Sequence, residues 1–199
     1  MDEKRKDIRW YVASTASGRE NRVKEAILSR SKTMDLAENI LNVIVAEIEV
    51  EVTDKETGLP VYVTDKETGL QVPKKKMRNL YPGYIFIEMI MSDEAWFMVR
   101  NTPGVTGFIG SSGRGAKPFP VPDDEIEHIL KRLGIVNEDM YERYHVGNTV
   151  RIINGPLTGT EGVIEHFDKS TGTLKISANF FGRPQMLEVD FADTEKIAE

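Results

Sequence analysis

Past residue 145 the chain changes its hydrophobic period, and no other feature limits its fold so much. "TVRII", "EGVIEHF", "TLKISAN" and "QMLEVDF" follow one another closely, separated by Gly147, Asn154-Gly155-Pro156, Gly159, Asp168 to Gly172 and Gly182. Short β-rich runs punctuated by turn-forming residues predict a module made of strands alone. About fifty-five residues of closely spaced strands cover their edges best by closing on themselves, so a small barrel is expected.

Upstream the pattern is mixed. "IRWYVAST", Ile8 to Thr15, is aromatic and β-branched and predicts a strand. Ser17 and Glu20 have the spacing of a capping box, and Val23, Ala26, Ile27 and Arg30 recur at helical intervals, predicting a helix from about Gly18 to Lys32. In "VIVAEIEVEV", Ile48, Val50 and Val52 alternate with Glu47, Glu49 and Glu51, as in a strand with one buried face. "YIFIEMIM" predicts another strand, and Ser92 then caps a short helix with Asp93 and Glu94 in its first turn. "TPGVTGFIG" leads into a strand around Val105 to Ile109, and "PDDEIEHILKRLG" orders its charges as a capped helix should. The order predicts an α+β fold, an amino-terminal antiparallel sheet packed with helices followed by the small β-barrel. The weakly periodic "IVNEDMYERYH" is the expected flexible linker, giving domains over 1–134 and 146–199 with 135–145 between them.

"VTDKETGL" occurs twice, at Val52 to Leu59 and Val63 to Leu70. Two copies cannot stack a solenoid core. Asp opens a type I turn, and Gly58 and Gly69 suit the left-handed position closing a bulged hairpin, so two successive hairpins are expected with "LPVYV" as a short strand between.

Composition excludes several functions. With no cysteine there is no disulfide framework, thiolate metal site or thiol nucleophile. P-loop and nucleophile-elbow motifs are absent, and "GFIGSSGRG" is followed by prolines instead of the helix a phosphate cradle needs. His128, His145 and His166 lie far apart, and Asp123-Asp124 suits a helix start, so no catalytic residue, metal or cofactor is expected. No apolar run reaches the ~18 residues of a membrane helix, and "MDEKRKDIRWYV" has no secretory pattern, so no membrane contact is expected and the cytoplasm is the expected compartment.

A net charge of −6 argues against a nucleic-acid coat, so any such contact is local. The densest basic run, "KKKMR", has two readings, a solvated loop or a phosphate-steering patch formed by Lys74, Lys75, Lys76 and Arg78. It precedes "NLYPGYIFIEM", where a Pro82-Gly83 turn can hold Tyr81 and Tyr84 at the mouth of a strand as amphipathic anchors. In "ANFFGRP", Phe180 and Phe181 are adjacent on a strand and point to opposite faces, leaving one as an exposed anchor beside Arg183.

Three long stretches, "WYVASTASGRENRVKEAI", "YPGYIFIEMIMSDEAWFMVRNTPGVTGFIG" and "VGNTVRIINGPLTGTEGVIEHFDKSTGTLKISANFFGRPQMLEVDF", resemble the NusG family of bacterial transcription factors. They match its amino-terminal NGN module and its KOW module in order. The resemblance implies an RNP-like NGN domain gripping the clamp helices of RNA polymerase, and a flexibly linked SH3-like KOW barrel recruiting termination factor Rho or a coupling protein of the small ribosomal subunit. It implies a polymerase-binding turn at Leu80, Tyr81, Pro82, Gly83 and Tyr84, with Leu80-Tyr81 standing where the family usually has an aromatic pair. It further implies a recruiting surface at Asn154, Leu157, Phe181 and Arg183, and contact of Asn101 and Thr102 with the non-template DNA strand. A monomeric elongation factor acting in pausing, Rho-dependent termination, antitermination and transcription-translation coupling is expected. The alternatives are an operon-specialised paralogue or a ribosomal KOW protein, the latter opposed by five Lys/Arg against eight Asp/Glu in His145 to Glu199.

Overall fold

The computed structural model describes residues 7–111, 115–136, 138–180 and 182–197, the side chains of 138, 139 and 180 excepted. It forms two compact units, dividing between Val121 and Pro122.

The first unit runs β1 (Ile8–Thr15), α1 (Glu20–Thr33), β2 (Ile40–Ile44), β3 (Glu47–Glu51), β4 (Tyr62–Thr64), β5 (Gln71–Pro73), β6 (Lys75–Asn79), β7 (Tyr84–Ile90), α2 (Asp93–Arg100) and β8 (Val105–Phe108). Its main sheet is antiparallel with order β2-β7-β1-β8. Register sorts the side chains, because residues directly opposite share a face. Tyr11 lies against Ile87 and Ala13 against Ile85, and with Val43 and Met89 they meet Val23 and Ile27 of α1 and Ala95, Met98 and Val99 of α2 in one core. Val12 against Phe86, Trp10 against Glu88 and Ser14 against Tyr84 fall on the other face.

Helix starts divide on their caps. Ser92 Oγ accepts the Ala95 N–H at 3.1 Å, as its position predicts. The expected capping box at Ser17 and Glu20 does not form: α1 begins at Glu20, behind Arg19, with no side-chain cap. A tertiary hydrogen bond takes the Glu20 carboxylate instead, as described below.

Both copies of "VTDKETGL" form their own loops. Asp54 Oδ1 accepts from Glu56 N, Thr57 N and Thr57 Oγ1 at 3.0, 2.8 and 3.0 Å, and Asp65 Oδ1 repeats the set from Glu67 and Thr68 at 3.0, 2.7 and 2.8 Å. These donors, those of Thr57 and Thr68 foremost, hold both carboxyls below the ordinary aspartate range. The two loops meet the rest of the unit at a three-way backbone junction, where Val52 N donates to Lys74 O (2.7 Å), Lys74 N to Val61 O (2.7 Å) and Val61 N to Val52 O (2.8 Å).

The second unit contains α3 (Asp123–Arg132), α4 (Glu138–Tyr141), β9 (Thr149–Ile152), β10 (Glu161–Asp168), β11 (Thr173–Phe180), β12 (Arg183–Asp190), a 3-10 helix (Phe191–Asp193) and β13 (Thr194–Lys196). The strand order is β12-β11-β10-β9-β13. Laid flat, five strands would hold the outer two about 19 Å apart. The 3-10 helix joining those two strands advances less than about 10 Å, so the sheet has to curl. The four predicted strands are β9 to β12; the three-residue β13 was too short to register as a pattern.

The unit boundary lies upstream of the expected linker. The α3 helix, expected in the first domain, packs on the strands of the second unit, and so does much of 135–145. Lys131 Nζ donates to Tyr144 OH at 2.8 Å and Thr194 O at 2.7 Å, pairs with Glu127 at 3.0 Å and lies 3.5 Å from the centre of the Phe191 ring. Arg143 pairs with the second oxygen of Glu127. Met140 and Tyr144 are buried, and Tyr141 meets Phe191 edge-on at 4.8 Å. A polar-looking segment is thus tied down by single residues whose partners lie up to 63 positions away, which no local period records.

Candidate protein-binding surfaces

The turn before β7 is built from backbone hydrogen bonds. Tyr84 N donates to Tyr81 O at 3.1 Å, Tyr81 N to Asn79 Oδ1 at 2.9 Å, and Thr15 N to Gly83 O at 2.9 Å. Gly83 has φ of 86°, and a Cβ there would sit 3.3 Å from Thr15 O, so only glycine fits without strain. Its N–H donates to Glu20 Oε1 at 2.7 Å. Glu20 is 5% exposed. Burial pushes its carboxyl pKa up, but the N–H groups of Gly83, Glu20 and Gly18 outweigh that and hold it below the usual glutamate value. The helix start and the turn are therefore clamped together by one ionised side chain.

That clamp sets the rings. Tyr81 meets Phe86 edge-on at 5.6 Å, and Tyr84 remains 40% exposed. Register aligns Ile44, Phe86 and Val12 in one row and Tyr84 with Ser14 in the next, on the face opposite α1 and α2, where Ile44 and Phe86 are buried, Val12 is half-buried and Tyr84 is exposed. Leu80, half-buried, donates its N–H to Ala46 O at 2.7 Å. The five predicted turn residues thus lie at one end of an apolar sheet face that also includes Val12, Ile44 and Phe86. Alternation in "IRWYVAST" could have placed Trp10 and Val12 there; the sequence marked Glu20 as part of a capping box, and nothing in it pointed to Gly83 as its partner.

Glu20→Ala is expected to lower the stability of this unit by about 1–3 kcal/mol, the cost of a buried N–H left unsatisfied. Glu20→Gln keeps an acceptor and should recover most of the loss. Urea unfolding followed by Trp10 and Trp96 fluorescence measures both, and equal losses in the two variants would remove the hydrogen bond as the cause.

Predicted nucleic-acid residues separate in space. In the β3–β6 ladder Ile48 faces Arg78 and Val50 faces Lys76, whereas Glu49 faces Met77 and Glu51 faces Lys75. Lys75 sits on the acidic side, bonded to Glu49 at 2.9 Å, which raises its pKa. Lys76 and Arg78 share the apolar side, with Lys74 next to Val52 at the junction. At the end of α2, Asn101 is exposed and its amide donates to Phe97 O at 2.8 Å. Thr102 is buried instead, its hydroxyl donating to Met98 O at 2.9 Å, because the turn into β8 needs that carbonyl satisfied.

In the second unit, Asn154 and Leu157 lie in the β9–β10 loop and Arg183 opens β12. Pairing of Gly162 with Ala178 and of Asn179 with Pro184 brings that loop and the β11–β12 turn to the same end of the sheet. Asn154 Nδ2 donates to Asp193 Oδ1 at 3.1 Å, Leu157 is half-buried and Arg183 is exposed. Phe181 lies outside the described residues.

A helix-backed sheet with an aromatic turn at one end, followed by a curled five-stranded sheet, defines a two-module α+β protein. Residues 8–130 match the family model described as transcription termination factor NusG, and residues 146–177 match that of the KOW motif. The transcription termination/antitermination protein NusG of Bacillus subtilis strain 168 is 38% identical over 188 residues, covering 94% of this chain and 98% of its own. Its namesake in Staphylococcus carnosus strain TM300 is 36% identical, with 95% and 96% covered. Among solved structures, one titled for domain interaction in Thermotoga maritima NusG is 28% identical over 97% of this chain and 99% of its own, with a TM-score of 0.48. The chain belongs to the NusG family of transcription termination/antitermination proteins.

Proposed function

We propose that this chain is a general transcription elongation factor that binds RNA polymerase through the Tyr81/Tyr84 face and recruits partners through its KOW unit. The observation that carries the reading is the exposed Tyr84 beside the Tyr81–Phe86 pair, held on a turn that Glu20 and Gly83 make rigid. Such a face suits a helix laid in an apolar groove, here one of the polymerase clamp helices. The mechanism makes no bond. Binding both sides of the polymerase cleft disfavours opened, paused states only to the extent that the factor prefers the closed one.

The KOW unit offers Asn154, Leu157 and Arg183 at one end of its sheet, a surface for Rho or a small-subunit ribosomal protein. Tethering raises the local concentration of whatever that surface captures near the transcript. Asn101 is the residue assigned to the non-template DNA strand, a reading its exposure at the end of α2 supports, while Thr102 is buried in the turn beneath it. The factor acts as a cytoplasmic monomer, without a cofactor.

Binding of the full chain to core RNA polymerase tests the proposal. Tyr81→Ala/Tyr84→Ala is expected to weaken binding at least tenfold while circular dichroism stays native, since buried aromatic anchors carry most of an interface's energy. Unchanged binding by the double variant would move the polymerase site elsewhere.

A further inference from the structure

The ribbon formed by β3 and β6 grows out of the aromatic patch at both strands: β3 follows Ile44 of β2 after a kink, and β6 runs through Leu80 into Tyr81. One of its faces carries the successive pairs Ala46 with Leu80, Ile48 with Arg78, Val50 with Lys76 and Val52 with Lys74. Ile48, Val50 and Val52 are only half-buried there, and Lys74, Lys76 and Arg78 are exposed. Among the described residues these three cations form no ion pair, whereas Lys75, on the opposite face, is matched to Glu49. The face is therefore an aliphatic stripe with a cationic flank. From Leu80 to Lys74 it extends about 20 Å at the rise of a strand, the length of about thirteen helical residues.

We infer that this face lengthens the polymerase groove, so that the helix seated at Tyr81 and Tyr84 continues along the ribbon with its acidic flank against Lys74, Lys76 and Arg78. The inference rests on the polymerase reading above and specifies its partner further. A helix with an apolar stripe and Asp/Glu on one side satisfies both parts of the surface. A nucleic-acid backbone would answer the cations alone and leave the aliphatic stripe wet.

The test uses the full chain and core RNA polymerase free of nucleic acid. Lys74→Glu/Lys76→Glu/Arg78→Glu is expected to bind at least tenfold more weakly at low salt, with the gap narrowing as salt rises. Lys75→Glu, on the other face, should stay within twofold of the unmodified chain, and Val50→Ser should lose several-fold with no change in salt dependence. Circular dichroism confirms each fold. Tyr81→Ala/Tyr84→Ala, run in parallel, separates the two readings. If it loses binding while the charge-reversed chain does not, the ribbon is no part of the groove and the polymerase reading survives. A loss that appears only when duplex DNA is added would assign the cations to nucleic acid and overturn the inference. Absence of any binding by the unmodified chain would remove both readings.

Discussion

Phe191→Ala is expected to destabilise the KOW unit severely while leaving the NGN unit intact. Phe191 is fully buried, stacks on Phe167 at 5.4 Å and meets Tyr141 and Tyr144 edge-on at 4.8 and 4.7 Å, with Lys131 Nζ over its ring. Removing such a ring costs about 3–5 kcal/mol through lost burial and the cavity left behind. A unit of this size has a total stability of only about 4–12 kcal/mol, so the loss is a large fraction of it. At about 4–8 °C per kcal/mol, the midpoint should fall by at least about 12 °C. Both tryptophans lie in the NGN unit, at Trp10 and Trp96, so their fluorescence reports that unit, while amide hydrogen exchange at the buried strand residues Val150, Ile164, Leu174 and Ile176 reports the other. A coincident fall in both signals would show that the two units melt together and would contradict the prediction.

Glu127→Ala should be comparably severe, for an electrostatic reason. It strands Lys131, whose side chain has no exposed surface, and leaves Arg143 without its carboxylate. Deleting one partner of a buried ion pair costs about 3–5 kcal/mol, whereas replacing both with apolar groups is often neutral. Glu127→Leu/Lys131→Met is therefore expected to regain most of what the single variant loses. A double variant as unstable as the single one would show that the charges are not the cause.

The same group predicts a pH dependence. Burial pushes the Lys131 pKa down from 10.5 to about 8, against the pull of Glu127. Below pH 8 the folded and unfolded states are both protonated, and the burial penalty is present in full. Between about 8 and 10.5 the unfolded chain holds a proton that the folded one has lost, so stability rises with pH. Burial and the Glu127 carboxylate raise the Tyr144 pKa above its usual 10, so above that pH the unfolded chain loses a proton the folded one keeps and stability falls. The unfolding free energy of the KOW unit, measured by urea titration, should climb between pH 8 and 10 by up to about 2 kcal/mol and then turn over. In Lys131→Met the climb should be absent.

Much of this molecule could be read from local pattern. Runs rich in β-branched and aromatic residues located β1, β7 and β9 to β12, period-two alternation located β3, the Ser92 cap started α2, and the duplicated Asp-Lys-Glu-Thr-Gly turns formed the loops their chemistry requires. Each depends on neighbours a few positions away, and such interactions survive in any fold that keeps the segment in its preferred state. The Tyr-Pro-Gly-Tyr turn was legible for the same reason.

Other features depended on partners distant in sequence. Glu20 has a capping-box spacing, yet its carboxylate serves Gly83, 63 residues away, because the chain brings that N–H to the start of α1 and leaves it no other acceptor. The run "KKKMR" looks like one basic patch, but strand pairing sends Lys75 to the acidic face and Lys76 and Arg78 to the aliphatic one. Lys131 fits the basic end of a capped helix, yet its side chain is buried against Phe191. The sequence by itself determined the strands, helices and turns that carry a strong local signature, since those preferences act within a few residues; β6 in the basic run, α4 in the expected linker and β13 carry none. Only the tertiary structure decided which charges are paired, which faces stay uncovered and where one unit ends, because each of those is set by contacts between residues that the chain order keeps apart.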